Sequence, residues 1–313
     1  MLDRRTVLHG IAGASASALL PVPLSAQPTA RDSSTGNAQI TSIGDGMSVI
    51  DGLGGNVIVY SADSGVILVD SGSAVHSDAL LRTVESLSDG DSVRTLFNTH
   101  WHLEQVGGNA AIRNRGAELI AHRRTLMHLS TPYYLPNEDR YQEALPTAAH
   151  PTESFFADGA TEIGSETIRY GYLLEAHTDG DIYVQFEADN VIVAGDAISP
   201  LLDPELDWYG GGWIGGRVDS LQLLLDLSDS DTRFIPSYGP VVDRDYVQSE
   251  HDLMLGLFDI LFERVRAGEG AEDVLASGAM DSLNRQFENP MKFLYAAHKG
   301  MWGHYNTLSH DIV

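Results

Sequence analysis

Two histidines separated by one residue mark the part of the chain best suited to chemistry. His100 and His102 follow a strand-like run at residues 94–99 and precede a helix-like run at residues 105–113. In an extended loop, two histidines with this spacing can direct their imidazoles at one point. Imidazole nitrogens are common zinc ligands, so the segment predicts a metal site that needs a further donor from elsewhere in the chain.

Two later segments offer such donors, each beside a strand-like run. His177 lies between two of these runs, and Asp196 closely follows an apolar run at residues 191–194. The chain contains no cysteine, which excludes disulfides, thiolate ligands and cysteine nucleophiles. Any metal site must therefore use imidazole and oxygen ligands, which suit zinc, manganese or iron.

The elements that position these residues form two β-rich halves, each ending in helices. The runs are strand-like at residues 39–43, 47–51, 56–61, 66–70, 94–99, 167–174, 182–186, 191–194 and 233–235, and helix-like at residues 74–87, 105–113, 218–227, 246–266 and 290–302. This order predicts an α/β fold of the layered α+β type rather than a doubly wound parallel sheet. We expect an αββα sandwich, in which two β-sheets are flanked by helices.

Taken in order, these segments resemble the motifs of the metallo-β-lactamase superfamily. Asp70 matches the strand-end aspartate, and His100 and His102 match the first two histidines of the His-x-His-x-Asp-His motif. His177 matches the lone histidine and Asp196 the later aspartate. The resemblance extends over roughly residues 39–245 and implies a metallo-β-lactamase-fold domain at residues 39–313.

The chain departs from the family pattern at three positions, all of which belong to the second metal position. Glu104 replaces the metal-binding aspartate, Gln105 the next histidine and Tyr238 the last histidine. An amide oxygen and a neutral phenol are poor zinc ligands, so we expect this position to bind metal weakly or to prefer a harder ion such as manganese. The resemblance therefore implies one tightly bound Zn²⁺ and a second metal that is weak or absent.

The resemblance also implies roles for individual residues. The zinc ligands would be His100, His102 and His177, with Asp196 as a further metal ligand and Glu104 and Gln105 forming the weak second site. Three residues would assist catalysis: Glu104 as general base, Asp196 as acceptor of a hydrogen bond from the zinc-bound water or as a bridge to a second ion, and Tyr238 as donor to a developing oxyanion. Tyr238 has an alternative role as a packed ring that fills the place of the lost ligand. Asp70 and Asp179 are expected to orient neighbours or form turns rather than to catalyse.

The function implied by the resemblance is that of a zinc-dependent hydrolase. Zinc lowers the pKa of its bound water to roughly 7, so that a metal-bound hydroxide can attack a small ester, lactone, thioester or amide, with β-lactams among the amides that this chemistry allows. The Glu-Gln pair in the second motif is similar to that of exported hydrolases of the superfamily that have no settled substrate. The alternative is a non-catalytic zinc- or small-molecule-binding protein on a degenerate hydrolase scaffold.

The charge of the chain limits its partners. The formal net charge is −25, which argues against nucleic acid and against anionic membrane surfaces, because both reward lysine and arginine. We therefore expect a small-molecule substrate. Nothing in the sequence indicates an oligomeric state.

The first residues are typical of a bacterial export signal. Arg4 and Arg5 resemble the twin-arginine pattern of Tat signals, and a weakly apolar run at residues 11–20 follows them. We expect residues 1–26 to be a Tat-type signal peptide and residues 27–38 a flexible linker. The mature protein would then be periplasmic or secreted, without a stable membrane anchor after signal cleavage.

Aromatic residues give two further expectations. Residues 131–151 are rich in proline and tyrosine, and such a long connection is either a lid over a binding site or an ordinary surface excursion. Four aromatic residues either line the mouth of the site or pack in the ordinary way, and the glycines near them are expected to keep their loop mobile. These residues are Trp101, Trp208, Tyr209 and Trp213.

Overall fold

The structure is a computed structural model that describes residues 38–308 except 45, 63, 137–138, 165, 282 and 284, with the backbone alone for residues 305–308. The signal peptide expected at residues 1–26, and the linker expected at residues 27–38 apart from its last residue, lie outside the described residues. Among the described residues, no helix is long and apolar enough to cross a membrane.

The first sheet has seven strands, arranged in the order in which they occur in the chain. Its strands are β1 (Gln39–Gly44), β2 (Met47–Asp51), β3 (Val57–Ala62), β4 (Gly65–Val69), β5 (Val93–Phe97), β6 (Glu118–His122) and β9 (Glu153–Phe155). The pairs from β1 to β4 are antiparallel, and those from β4 to β9 are parallel. Parallel pairing requires crossovers, which α1 (Ser77–Leu87), α2 (Leu103–Val106), α3 (Asn109–Arg113) and α4 (Arg123–Ser130) supply.

The second sheet has five strands, also in chain order. They are β10 (Asp158–Ile163), β11 (Glu166–Tyr172), β12 (Ile182–Phe186), β13 (Val191–Gly195) and β14 (Arg233–Pro236). Only β13 and β14 pair in parallel, and α5 (Ile214–Asp226) connects them. The remaining elements are a hairpin of β7 (Tyr133–Leu135) and β8 (Arg140–Gln142), and the helices α6 (Arg244–Arg266), α7 (Ala271–Ala276) and α8 (Pro290–Leu308).

Three apolar clusters confirm the expected αββα layers. One lies between the two sheets and contains Ile67 and Phe97 of the first and Val184 and Val193 of the second. A second cluster packs α1 on the outer face of the first sheet, and a third packs α5, α6 and α8 against the second. Each sheet therefore buries one face against the other sheet and one against helices.

The structure divides the helix expected at residues 105–113 into α2 and α3. A Cβ atom on Gly107 would lie 2.2 Å from the Ala74 nitrogen, and one on Gly108 would lie 2.4 Å from the Ser71 carbonyl oxygen. The chain here approaches residues 71–74 too closely for any side chain, so the helix breaks at the two glycines.

Several short elements have no counterpart in the expectations from sequence. They are β6, β7, β8, β9, β10, α4 and α7. Three of them, β7, β8 and β9, contain only three residues each, which is too short for an alternating pattern to stand out. The segment at residues 131–151 is thus partly regular, because it contains the β7–β8 hairpin.

Candidate metal centre

The ends of three strands bring the predicted ligands together at one edge of the two sheets. His100 and His102 follow β5, His177 lies in the connection from β11 to β12, and Asp196 directly follows β13. Each of these four residues offers one ligand atom, and all four atoms lie within 4.8 Å of one another. Among the described residues, this is the one group of histidine and acidic side chains whose geometry could hold a metal ion.

The candidate ligand atoms of the four residues lie close together. His177 Nε2 lies 3.1 Å from His102 Nδ1, and Asp196 Oδ2 lies 3.4 Å from His100 Nε2 and 3.5 Å from His177 Nε2. Three of the residues are almost fully buried, while the His102 side chain is 17 % exposed. The group is thus closed on its inner side and reached by solvent at His102.

The outer nitrogens of two histidines have partners that fix which nitrogen carries the proton. His177 Nδ1 donates to the Glu205 carbonyl oxygen at 2.9 Å. His100 Nδ1 lies 3.0 Å from Thr99 Oγ1, whose hydroxyl donates to Asp70 Oδ2 at 2.7 Å, so the imidazole is the donor to the threonine. In both histidines the lone pair of Nε2 therefore faces the group.

His102 has the corresponding partner in Asp207. The distance between His102 Nε2 and Asp207 Oδ2 is 3.1 Å, so Nδ1 faces the group. Burial lowers the pKa of His102, but the hydrogen bond and the negative charge of Asp207 outweigh it and leave that pKa above its usual value. Conversely, burial raises the pKa of Asp207, but the hydrogen bond and charge of His102, the hydrogen bond from the Gly210 backbone and the charge of His177 together lower that pKa overall.

This donor set fits a divalent metal of the zinc type. Three imidazole nitrogens with their protons directed outward and one carboxylate oxygen converge on one point, and carbonyl or carboxylate partners orient metal-binding histidines in the same way. Sequence reasoning missed Asp207. It is separated from His102 by 105 residues and lies in a loop with no pattern of its own.

Asp70 lies behind the group rather than in it. Its carboxylate accepts hydrogen bonds from the Thr99 backbone nitrogen at 2.8 Å and from the Thr99 hydroxyl at 2.7 Å. Burial raises the pKa of Asp70 to about 8 although these hydrogen bonds lower it. Its backbone has a φ of 63°, so a left-handed turn after β4 directs the side chain toward the loop of His100.

The turn that carries His177 depends on Asp181, which sequence reasoning did not single out. Asp181 Oδ2 accepts from the backbone nitrogens of His177 at 2.5 Å and Thr178 at 2.8 Å. Burial raises the pKa of Asp181 to about 7, against the opposing effect of these hydrogen bonds. The neighbouring Asp179 points elsewhere and accepts from His128 at 2.9 Å.

The three residues that replace family ligands lie outside the group. Gln105 is 1 % exposed and its Nε2 donates to the Tyr238 hydroxyl oxygen at 3.4 Å. Its Oε1 has no hydrogen-bond partner among the described residues. Glu104 is half-buried. The structure thus brings Gln105 and Tyr238 into contact with each other, and it does not place Glu104 among the grouped ligand atoms.

The four aromatic residues expected at the mouth divide into two kinds. Trp101 is 1 % exposed and stacks on His128 with ring centroids 4.1 Å apart, and Trp213 stacks on His304 at the same distance. Trp101 is thus packed inside the protein, whereas Trp213 is half-buried. Trp208 is half-buried and Tyr209 is 52 % exposed, and both directly follow Asp207, so they lie beside the group.

The β7–β8 hairpin reaches this exposed rim. The rings of Tyr134 and Tyr209 have centroids 5.8 Å apart, and those of Tyr133 and Trp101 form a T-shaped pair with centroids 4.7 Å apart. Part of the segment at residues 131–151 therefore borders the loop at residues 207–212. The glycines of that loop permit a close approach, because a Cβ atom on Gly212 would lie 1.9 Å from the His177 carbonyl oxygen.

Fold and site together define a metallo-hydrolase scaffold of two sheets with a histidine-rich centre at the strand ends. The model of the metallo-beta-lactamase superfamily matches residues 50–237, which include all four grouped ligands. The chain therefore belongs to the metallo-β-lactamase superfamily, as its motifs predict. A search of curated proteins by sequence found no match.

Solved structures share this fold at low sequence identity. A metallo-beta-lactamase from Pontibacter korlensis aligns with a TM-score of 0.58 and 18 % identity over 70 % of this chain and 99 % of its own. The DIM-1 metallo-beta-lactamase aligns with a TM-score of 0.56 and 16 % identity over 70 % and 97 %. A double mutant of the sec-alkyl sulfatase PisA1 aligns with a TM-score of 0.65 and 12 % identity over 85 % of this chain and 50 % of its own. At these identities the likeness shows the fold alone.

Proposed function

We propose that this protein is a zinc-dependent hydrolase of small esters, lactones, thioesters or amides, with β-lactams among the candidate amides. The observation that carries the proposal is the convergence of three imidazoles and one carboxylate within 4.8 Å. The orientation of all three imidazoles supports it, because each outer nitrogen has an oxygen partner.

The metal that we propose is one Zn²⁺ held by His100, His102 and His177, with Asp196 as a further ligand. Zinc accepts neutral imidazole and carboxylate ligands at such a site, and the chain offers no thiolate. When bound there, zinc would supply a nucleophile at neutral pH by lowering the pKa of a water molecule to roughly 7.

The side chains around the group would then move protons and hold the substrate. Asp196 Oδ2 lies 3.4 Å from His100 Nε2 and would face the metal, so we propose that the other oxygen of the carboxylate orients a reacting water by accepting its hydrogen bond. We propose Glu104 as the general base. Tyr238 would donate a hydrogen bond to the oxyanion that develops on the substrate.

A second metal ion is weak or absent in this proposal. The contact between Gln105 Nε2 and the Tyr238 hydroxyl, at 3.4 Å, supports it because two neutral groups that bond to each other are poor substitutes for the family's ligands.

The rim of the group supports a substrate with an apolar or aromatic part. The half-buried Trp208 and the exposed Tyr209 directly follow Asp207, and aromatic rings beside a reactive centre are typical of a binding surface. The net charge of −25 favours small neutral or cationic molecules over nucleic acid.

We further propose that the protein is exported by the Tat route and acts in the periplasm or outside the cell. The adjacent Arg4 and Arg5 support this proposal. Sequencing the N-terminus of periplasmic protein should show cleavage near residue 26, and replacing both arginines by lysine should abolish export. Uncleaved protein confined to the cytoplasm would contradict it.

Metal analysis combined with a substrate panel tests the proposed function. Protein folded in the cell should contain one zinc ion per chain and hydrolyse at least one member of a panel of aryl esters, lactones, thioesters and nitrocefin. His102→Ala should lose both zinc and turnover. The matched control is His298→Ala, because His298 bonds to the Glu269 carbonyl oxygen at 3.1 Å and lies outside the group.

Each result discriminates between specific alternatives. Zinc without turnover on any panel member, in both wild type and variants, would favour the non-catalytic binding protein instead. Two metal ions per chain would contradict the proposal of a single tight site. Equal loss in both histidine variants would show that the effect comes from folding rather than from metal ligation.

A further inference from the structure

The loop at residues 196–202, which begins with Asp196, is bonded to a buried arginine of α5. Arg217 is fully buried. Its Nη1 donates to the Asp196 carbonyl oxygen at 2.8 Å, and its Nη2 donates to Ser199 Oγ at 2.9 Å. Arg217 therefore bonds directly to the backbone of the residue whose carboxylate belongs to the candidate metal centre.

A glutamate of α6 completes this contact. Glu250 Oε1 accepts from Arg217 Nη2 at 2.6 Å, and Glu250 Oε2 accepts from the Ser199 backbone nitrogen at 3.0 Å. The two side chains are 0 % and 1 % exposed. The opposite charges of Arg217 and Glu250 thus balance each other out of contact with water. Each of the two side chains also forms hydrogen bonds with the loop.

The segment after α7 holds the other end of the same loop. Arg285 Nη2 donates to the carbonyl oxygens of Ser199 at 2.7 Å and Leu202 at 2.5 Å. Asp203, which follows the loop, accepts from the backbone nitrogens of residues 288 and 289 at 3.0 and 2.8 Å. Glu250 and Arg285 both lie beyond residue 237, where the family match ends.

We propose that Arg217, Glu250 and Arg285 are positioning residues that hold Asp196 in place for metal binding. A buried ion pair contributes little to stability compared with apolar residues of the same size, so folding alone gives no reason for these charges. Outside the ion pair, all three side chains form hydrogen bonds with the loop that carries Asp196. The C-terminal helices thereby take part in the metal centre although none of its four ligands lies in them. This inference rests on the proposed function.

A double variant can remove the ion pair without leaving a buried unpaired charge. Arg217→Met combined with Glu250→Leu replaces the pair by apolar side chains, a change that is often neutral or stabilising for the fold. We expect the metal-free double variant to fold with a lower melting temperature than the wild type, because the Asp196 carbonyl oxygen and the Ser199 backbone nitrogen lose their partners. The dissociation constant of zinc should rise about 10- to 100-fold, as for other changes behind metal ligands. A chromophoric chelator in competition for zinc measures it.

A double-mutant cycle with Asp196→Ala tests whether the effect passes through Asp196. If the ion pair acts by positioning this carboxylate, removing the pair should weaken zinc binding much less once the carboxylate is gone. If the losses of zinc affinity caused by removing the ion pair and by Asp196→Ala simply add in free energy, the inference is wrong. A zinc affinity of the folded double variant within about twofold of wild type, the usual limit of additivity, would also overturn it.

Two further variants keep the outcome decisive. The matched control is Arg264→Met with Glu269→Leu, which removes a partly exposed ion pair of 2.9 Å outside the loop and should leave zinc affinity unchanged. If the Arg217 double variant fails to fold, Arg285→Gln in the same cycle decides the question, because Arg285 is only partly buried.

Wild-type protein that binds no zinc would overturn both this inference and the proposed function. Unchanged affinity in folded variants of a zinc-binding wild type would overturn this inference alone.

Discussion

The variant Asp207→Asn tests a carboxylate that is not one of the four candidate ligands but bonds to one of them, His102. Asn keeps the size of the side chain and can still accept from the Gly210 backbone nitrogen, which donates to Asp207 Oδ1 at 2.9 Å. The change removes the negative charge 3.1 Å from His102 Nε2. A less basic imidazole is a weaker zinc ligand, so we expect zinc affinity to fall.

The size of the effect follows from the hydrogen bond that changes. A hydrogen bond to a charged group contributes about 1.5–3 kcal/mol, which corresponds to a factor of roughly 10 to 150 in a binding constant. The His102 and Asp207 side chains are 17 % and 19 % exposed, so solvent screens part of the interaction. We therefore expect the zinc dissociation constant to rise about 10- to 30-fold, near the lower end of that range.

The assay is a zinc competition titration at pH 8, where an imidazole with the usual pKa of about 6.5 is mostly neutral. The chain offers a matched control in Asp252→Asn, because Asp252 Oδ1 lies 3.3 Å from His251 Nδ1 on α6, outside the metal centre. That variant removes a carboxylate beside a histidine without touching a ligand, and zinc affinity should not change.

Three results would refute this reasoning. Unchanged zinc affinity in Asp207→Asn would show that the carboxylate does not act on His102 as a ligand. An equal loss in both variants would show that net charge, rather than this hydrogen bond, controls affinity. A fall in stability of the metal-free protein without a change in zinc affinity would make Asp207 a purely structural residue.

Three further perturbations address the rim, the C-terminal helix and the glycine loop. Tyr209→Ala should raise KM for aromatic substrates about 2- to 12-fold at unchanged kcat, the equivalent of one aromatic contact of roughly 0.5–1.5 kcal/mol, and a fall in kcat alone would contradict a binding role. His304 Nε2 donates a hydrogen bond to Glu175 Oε2 at 2.8 Å, which raises the pKa of His304 although burial lowers it. The stabilisation from this bond is therefore complete below pH 6.5 and is lost as the pH rises through the folded-state pKa. Wild type should therefore exceed His304→Gln in melting temperature at pH 6 by more than at pH 9, and a constant difference would contradict this. Gly212→Ala puts a Cβ atom 1.9 Å from a carbonyl oxygen and should lower the free energy of unfolding in urea by about 1–3 kcal/mol or more. The control Gly256→Ala, with no neighbour within 4 Å of its Cβ position, should stabilise α6 by up to about 1 kcal/mol. Similar effects of the two variants would show that the close approach at Gly212 does not exclude a side chain.

The ligand group could be predicted from sequence because its signals are local. His100 and His102 are two residues apart after a strand, and His177 and Asp196 each stand beside an apolar run. Strand ends at one edge of a layered fold bring such residues together. The order of the motifs then predicted the superfamily, which the match over residues 50–237 confirms.

The partners behind the ligands could not be predicted in the same way, because contacts between distant segments decide them. Asp207 meets His102 only after the connection between β13 and α5 folds back, and no periodic pattern marks it. Asp181 is closer to its partner, four residues after His177, but an aspartate next to a glycine is equally typical of an ordinary turn.

The Arg217–Glu250 ion pair did leave a signal in the sequence. In α5 the buried positions include Ile214, Leu221 and Leu224, and Arg217 is three residues after the first of them and four before the second. A charge at such a position of an apolar stripe must find a buried partner or a way to the surface. The helix expected at residues 218–227 began one residue too late to include it.

The second metal position is better understood as rebuilt than as merely depleted. Asn56 Nδ2 donates to the carbonyl oxygens of Pro236 at 2.9 Å and Gly239 at 3.0 Å, which holds the loop of Tyr238. A Cβ atom on Gly55 would lie 2.7 Å from Gln105 Nε2, so the neighbouring backbone leaves room for the amide that contacts the phenol. In the one-zinc site that we propose, this neutral amide–phenol contact takes the place of ligand chemistry, and restoring a single histidine would still leave its partner a poor metal ligand. The hydrolytic chemistry that we propose therefore depends on the first position, where every imidazole keeps its outward partner.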